Sequence, residues 1–203
     1  MRFNFNDFYF NDIYEGLPVD GYAAIFERIF ADQNITTVTG CDFFDVRESL
    51  HPQAMIIYTG PIDRYFDYCY GPLSWRTLDF EIERLESNDF QGAAVINYPD
   101  LDVPYTRIHE FKHLHPERRN LEGRTLVMRE YSRFASADDE PYYPVNTPAD
   151  KALYERYAAR AAQERRTIFG GRLGTYGYLD MHQAIGAALR AFERELMPAL
   201  TAA

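Results

Sequence analysis

The chain has 203 residues, 46% hydrophobic and 26% charged, which is enough for one large globular domain or parts of two and excludes a disordered tail. No apolar run approaches the ~18 residues of a membrane span, and the residues after Met1 do not read as a secretory leader. A formal charge of 21 − 31 = −10 argues against non-specific nucleic-acid binding, and leaves room for an anionic small ligand gripped by a few local arginines.

Sixteen Tyr, fifteen Phe and one Trp make an aromatic-rich chain. Composition alone favours an aromatic core over a ligand-lined cleft, although each buried phenol must then find a polar partner. Cys41 and Cys69 form no CxxC pair or framework, so they read as free thiols in a reducing, cytoplasmic compartment.

In chain order, Asp20 predicts the start of a helix with an apolar stripe at Tyr22, Ile25, Phe26, Ile29 and Phe30. A short strand is expected over 36–38 and a buried one over 55–58. Leu78, Phe80 and Ile82 alternate with Asp79, Glu81 and Glu83 as in a half-buried strand. Further strands are expected over 93–98, 105–114 and 125–131, giving an antiparallel meander. The prolines in 138–144 make a rigid loop, with Tyr142 and Tyr143 between Pro141 and Pro144. Thr147-Pro148 reads as an N-cap and first-turn pair opening a helix to about residue 165. A strand over 167–169 runs into a turn with glycines at 170, 171 and 174. Asp180 then caps a final helix with a stripe at Met181, Ile185, Leu189, Phe192 and Leu196.

Three features carry chemistry. HEFKH at 109–113 matches the zinc-protease pentad in letters, but that pentad works on a helix. This stretch follows Pro104 in strand-like sequence, where residues i and i+4 lie about 13 Å apart. His115 before Pro116 does not restore a site, and no metal is expected. Arg107, half-buried on a sheet face, needs an anion, which is either one of the many carboxylates or a phosphate held in bidentate fashion. The Gly-rich turn after 167–169 and the helix start at Asp180 place backbone and amide hydrogens where an electron-rich ligand could sit, although no GxGxxG occurs.

Six stretches taken together resemble UDP-galactopyranose mutase of the bacterial type. They are YFNDIYEGLP (9–18), YTGPIDRYFDY (58–68), FQGAAVINY (90–98), VPYTRIHE (103–110), DEPYYPVN (139–146) and FGGRLGTYGYLDM (169–181), in the family's order along essentially the whole chain. The resemblance implies an isomerase that interconverts UDP-galactopyranose and UDP-galactofuranose, supplying galactofuranose for cell-surface glycans. Reduced FAD works there through a covalent sugar adduct at N5, so the cofactor is the nucleophile and not a net redox carrier.

Carried over position by position, Arg107 grips the diphosphate and is the catalytic residue. Tyr9, Tyr143 and Tyr178 match substrate-facing tyrosines, and Asn97 matches a polar contact to the nucleotide sugar. Arg172 lies in the flavin-contacting loop, and Leu179, Asp180, Met181, His182, Gln183 and Ala184 match the segment that packs against the isoalloxazine.

The implied fold is mixed α/β: a central antiparallel sheet flanked by helices, with the returning strand and C-terminal helix of an FAD-binding Rossmann-like domain. The expected division is 1–72 (end of a helical region and part of the FAD domain), 73–134 (substrate sheet) and 135–203 (return to the FAD domain). The family's Gly-rich N-terminal Rossmann segment has no counterpart here, so the chain reads as the C-terminal portion and is expected neither to hold FAD nor to turn over by itself. Family members often form homodimers. The alternative is a non-catalytic nucleotide-sugar binding module.

Overall fold

A computed structural model describes residues 12–50, 55–118 and 122–201. Tyr9 lies outside them. Helix α1 (Gly21–Phe30) forms where its apolar spacing predicts. Its stripe is not buried: Tyr22, Ile25, Phe26, Ile29 and Phe30 are each 40–52% exposed. Asp20 makes no capping bond and instead faces Arg28 at 3.6 Å. The strand expected over 36–38 is irregular backbone. A short helix α2 (Phe43–Val46) is capped by Asp42, whose carboxylate accepts the Phe44 amide and holds Arg64 at 2.7 Å.

Strand β1 (Ile56–Tyr58) and the short helix α3 (Ile62–Tyr65) precede the long strand β2 (Trp75–Leu85). Then come β3 (Val95–Asn97), β4 (Arg107–Glu110), β5 (Thr125–Phe134) and β6 (Tyr143–Pro144). They are followed by helix α4 (Pro148–Ala161), strand β7 (Thr167–Phe169), the one-turn α5 (Gly171–Gly174) and helix α6 (Met181–Ala191). A π-helical turn, Phe192–Leu196, joins α6 to a last helix α7 (Met197–Thr201). Among the described residues no helix is long and apolar enough to cross a membrane.

Two sheets result, and the fold is the mixed α/β arrangement the sequence implies. In one, β1 and β7 pair in parallel, with Ile57 opposite Ile168. The other is antiparallel in the order β3-β4-β5-β2-β6. It is not a plain meander: β3, β4 and β5 follow in sequence, but β2 lies between β5 and β6. The expected strand over 105–114 stops at Glu110 and turns into a 3-10 helix, Phe111–Leu114. On β2, Leu78 is buried as expected, whereas Phe80 and Ile82 are 43% and 63% exposed.

The core lies where the parallel pair, α3, α4 and the start of β2 meet. It consists of Tyr58, Ile62, Tyr65, Phe66, Leu73, Trp75, Tyr157 and Tyr176. The rings pack edge to face, as their quadrupoles favour, with Tyr65 and Phe169 at 4.7 Å and 83°. Their hydroxyls are satisfied. Tyr157 donates to the Gly71 carbonyl at 2.7 Å and accepts the Tyr70 amide at 3.1 Å. Tyr176 donates to the Ser74 carbonyl at 2.6 Å. Among the described residues, four tyrosines are therefore core. Helix α4 opens on the expected Thr147-Pro148 pair, with a capping box between Thr147 and Asp150.

Candidate functional site

Directly opposed residues of an antiparallel ladder point to the same face, and alternate residues along a strand share it. The register therefore sets one row across four strands: Asn97, Arg107, Glu130 and Phe80. The next row on that face is Val95, His109, Met128 and Ile82. At the other end of β2, Tyr143 lies opposite Arg76, which shares the face of Phe80. Strand geometry separates the Tyr143 and Arg107 backbones by about 13 Å along β2 and about 14 Å across it, so the two mark opposite ends of one surface.

At the Arg107 end, Glu130 is the pivot. Its side chain is 8% exposed and lies 3.4 Å from Arg107 Nε and 3.5 Å from His109 Nε2. The Thr106 hydroxyl donates to Glu130 Oε1 at 3.1 Å. Arg107 Nε is itself buried, near enough to Glu130 to be attracted but out of line for a hydrogen bond. The rest of the side chain is 38% exposed. Arg107 thus has its carboxylate partner and keeps part of its side chain open to solvent, with further donors to offer. Both anions expected from the sequence are compatible with it: Glu130 lies beside Nε, and the exposed part of the side chain leaves room for a second acceptor. The sequence gives no sign of Glu130 and offers His109 only within the HExxH letters, because only the pairing register brings both to one face with Arg107.

At the other end, Tyr143 and Tyr178 stack with centroids 5.9 Å apart and an interplanar angle of 19°. The Arg172 guanidinium lies 5.2 Å from the first ring and 4.7 Å from the second, a distance at which cation–π attraction is worth about 0.5–2 kcal/mol. Arg172 Nε and Nη2 are buried without a hydrogen-bond partner. Two orphaned donors of a buried cation fit a ligand that supplies acceptor atoms there. Tyr142 instead turns its ring edge-on to Phe80.

The Gly-rich turn fixes Arg172 by close backbone approach. Gly171 has φ +71°, which a side chain rarely adopts, and a Cβ at Gly174 would sit 3.2 Å from the Tyr58 carbonyl oxygen. The Gly170 amide donates to the Tyr58 carbonyl at 3.0 Å, tying the turn to the end of β1. Tyr176 holds φ +44° between that turn and Tyr178, and its hydroxyl anchors to Ser74 beside β2. A non-glycine residue so placed is costly and is kept where the surroundings determine it. Burial pushes the Tyr176 phenol pKa up.

Helix α6 begins as expected at Asp180, whose amide donates to Gln183 Oε1 at 2.9 Å. Asp180, Met181 and His182 line a cleft of about 1360 Å³ closed from the other side by residues 12–18 and Tyr22. Leu179 precedes this helix start, and Gln183 and Ala184 complete its first turn. A second cavity of about 640 Å³, between Asp63, Arg64, Leu73 and Asp139, contains none of the expected site residues.

The zinc-protease pentad is broken in space. His109 lies on the Arg107 face with Glu130, whereas His113 lies beyond the end of β4, 3.4 Å from Glu110, whose side chain points to the opposite face.

Comparison with known proteins gives the family. A family model described as UDP-galactopyranose mutase matches residues 1–178. A probable UDP-galactopyranose mutase of Klebsiella pneumoniae is 41% identical over 196 residues, 97% of this chain and 50% of that protein. A dTDP-fucopyranose mutase of Escherichia coli is 37% identical over 193 residues, 93% of this chain and 51% of that protein. A crystal structure of a reduced UDP-galactopyranose mutase aligns with a TM-score of 0.44 at 15% identity, over 60% of this chain and 36% of that one, a likeness too loose to carry an argument. The chain spans about half the length of the curated relatives it matches. On the family match and these identities, the chain belongs to the UDP-galactopyranose mutase family.

Proposed function

We propose that the protein containing this chain interconverts UDP-galactopyranose and UDP-galactofuranose in the cytoplasm, with FAD in its reduced form. The observation that carries the reading is the Arg107 row: a guanidinium 3.4 Å from the buried Glu130 carboxylate, on a side chain that stays 38% exposed. A diphosphate is the ligand such a fork fits best. Arg107 grips the two phosphates, neutralises the charge that develops as the bond to the sugar breaks, and keeps the nucleoside diphosphate close for return. Tyr143 and Tyr178 donate phenolic hydrogens at the far end, and Asn97, next to Arg107 in the row, orients the nucleotide sugar. Tyr9 is assigned to the same substrate contacts.

The flavin reading rests on Arg172 and the Gly-rich turn. Arg172 offers buried, unpaired donors, and Leu179 to Ala184 form the helix start whose amides favour negative charge. Reduced flavin, when bound, supplies the nucleophilic nitrogen for the anomeric carbon. These residues would hold its ring and exclude water from it. Residues 1–72 and 135–203 would complete this flavin side through the β1–β7 pair, and 73–134 would form the substrate sheet. A homodimer is the assembly the reading carries.

The test is made with full-length protein, dithionite-reduced and supplied with UDP-galactofuranose, with the products resolved by anion-exchange chromatography. Conversion that Arg107→Ala abolishes while the flavin spectrum persists supports the reading. Binding of the nucleotide sugar without flavin or conversion would show a binding module instead. The 37% identity to a dTDP-fucopyranose mutase favours a second substrate, so dTDP-fucopyranose is run in parallel.

A further inference from the structure

A cluster outside the site just described carries its own chemistry. Where β4 ends at Glu110 the chain tightens into the 3-10 turn Phe111–Leu114, and this swings His113 back beside Glu110. The loop before β3 brings in Asp89. His113 Nε2 lies 3.4 Å from Glu110 Oε2 and 3.4 Å from Asp89 Oδ2. All three ligand atoms fall within 4.8 Å of one another.

We propose that Asp89, Glu110 and His113 form a zinc site that fastens the 87–92 loop to the end of β4, with water as the fourth ligand. Two atoms bound tetrahedrally at 2.0–2.1 Å lie about 3.3–3.4 Å apart, the spacing His113 Nε2 keeps from both oxygens. An imidazolium pairing with a carboxylate would close to about 2.7–2.9 Å on one of them and align with it. His113 Nε2 does neither: it is buried and has no hydrogen-bond partner.

The carboxylates are held from behind, as second-shell partners hold metal ligands. The Gly92 amide donates to Asp89 Oδ1 at 2.7 Å and leaves Oδ2 for the ion. Glu110 accepts the Gln91 amide at 2.9 Å on Oε2 and the Thr125 hydroxyl at 2.6 Å on Oε1, and the Phe90 amide bridges both oxygens. Lys112 Nζ, 3.5 Å from Oε1, offsets one of the two negative charges, so one remains to attract a dication. Mixed imidazole and carboxylate ligands at this spacing suit zinc better than magnesium or calcium, which take more oxygens at an all-oxygen site. The HExxH letters thus contribute a glutamate and one histidine to a metal, not the two histidines of a protease.

The experiment dialyses purified full-length protein against EDTA, restores zinc chloride, and counts the metal per chain by mass spectrometry and calorimetry. One equivalent is expected. His113→Ala and Asp89→Asn each weaken it more than tenfold; Asp89→Asn keeps the acceptor for Gly92, so the loop fold survives. Cobalt(II) in place of zinc gives the intense visible bands of a tetrahedral site, lost in both variants. No stoichiometric uptake, or uptake that both variants leave unchanged, would overturn the proposal.

Discussion

Arg107→Ala separates the catalytic role of the guanidinium from its structural one. In the proposed complex the fork makes two charge-assisted hydrogen bonds to the diphosphate, each worth about 1.5–3 kcal/mol. Their loss in the transition state removes about 3–6 kcal/mol, a fall in kcat/KM on the order of 10² to 10⁴ at about 1.4 kcal/mol per tenfold. The same change deprives Glu130, 8% exposed, of its arginine neighbour. Stripping a partner from a fully buried pair costs about 3–5 kcal/mol, but Arg107 is 38% exposed and its Nε is out of line, so about 1–2 kcal/mol is expected. The double variant Arg107→Ala/Glu130→Gln removes the stranded charge; thermal stability returns while turnover does not. Initial rates with reduced full-length protein, the flavin absorption spectrum and a melting curve read the three quantities. A loss of less than tenfold in kcat/KM, or recovery of turnover in the double variant, would refute the reasoning.

Tyr157→Phe keeps the ring and strips its hydroxyl from the Gly71 carbonyl and the Tyr70 amide, leaving two half-buried groups unpaired. Urea unfolding should show a loss of about 1–3 kcal/mol with an unchanged slope. Tyr58 has its phenol pKa pushed up from 10.0 to about 12 by burial. Because the folded value is the higher one, stability is full below pH 10 and falls by about 3 kcal/mol as pH rises through about 12. Tyr58→Phe should flatten that alkaline limb in melts taken across pH. Thr147→Ala removes one side of the α4 capping box and should cost about 0.5–2 kcal/mol in the same unfolding assay. Tyr143→Phe leaves its ring stacked on Tyr178 but takes away the donated phenol, so kcat/KM should drop about tenfold while the melting curve stays in place.

What the sequence makes legible follows the range of the forces involved. The capping box at Thr147, the turn through Gly170 and Gly171, and the helix opening at Asp180 are set by residues a few positions apart, and they form where expected. Strand pairing joins residues far apart in sequence. Alternation within 78–83 says which side chains share a face, not which strand lies beside them, so Glu130, which lies beside both Arg107 and His109, stays hidden. The same blindness applies to burial. The stripes of α1 and α6 have the right period, yet Met181, Ile185, Leu189 and Phe192 are 46–60% exposed, because periodicity does not specify the surface that covers it. In sequence, residues 111–114 continue the strand expected over 105–114, with no Gly or Pro to break it. The 3-10 turn there brings His113 to Glu110, a contact that extended geometry would forbid.

The parallel pair has a consequence for synthesis. Tyr58 closes β1, and Thr167 opens its neighbour 109 residues later. At 5–20 residues per second, a ribosome exposes the first strand for roughly 5–20 s before the second emerges. During that interval Ile56 and Ile57 lack their only in-register mate among the described residues, while the intervening antiparallel sheet can already assemble. A nascent chain stalled before residue 167 should therefore carry a finished sheet beside an unpaired, sticky strand, a natural target for a holdase chaperone.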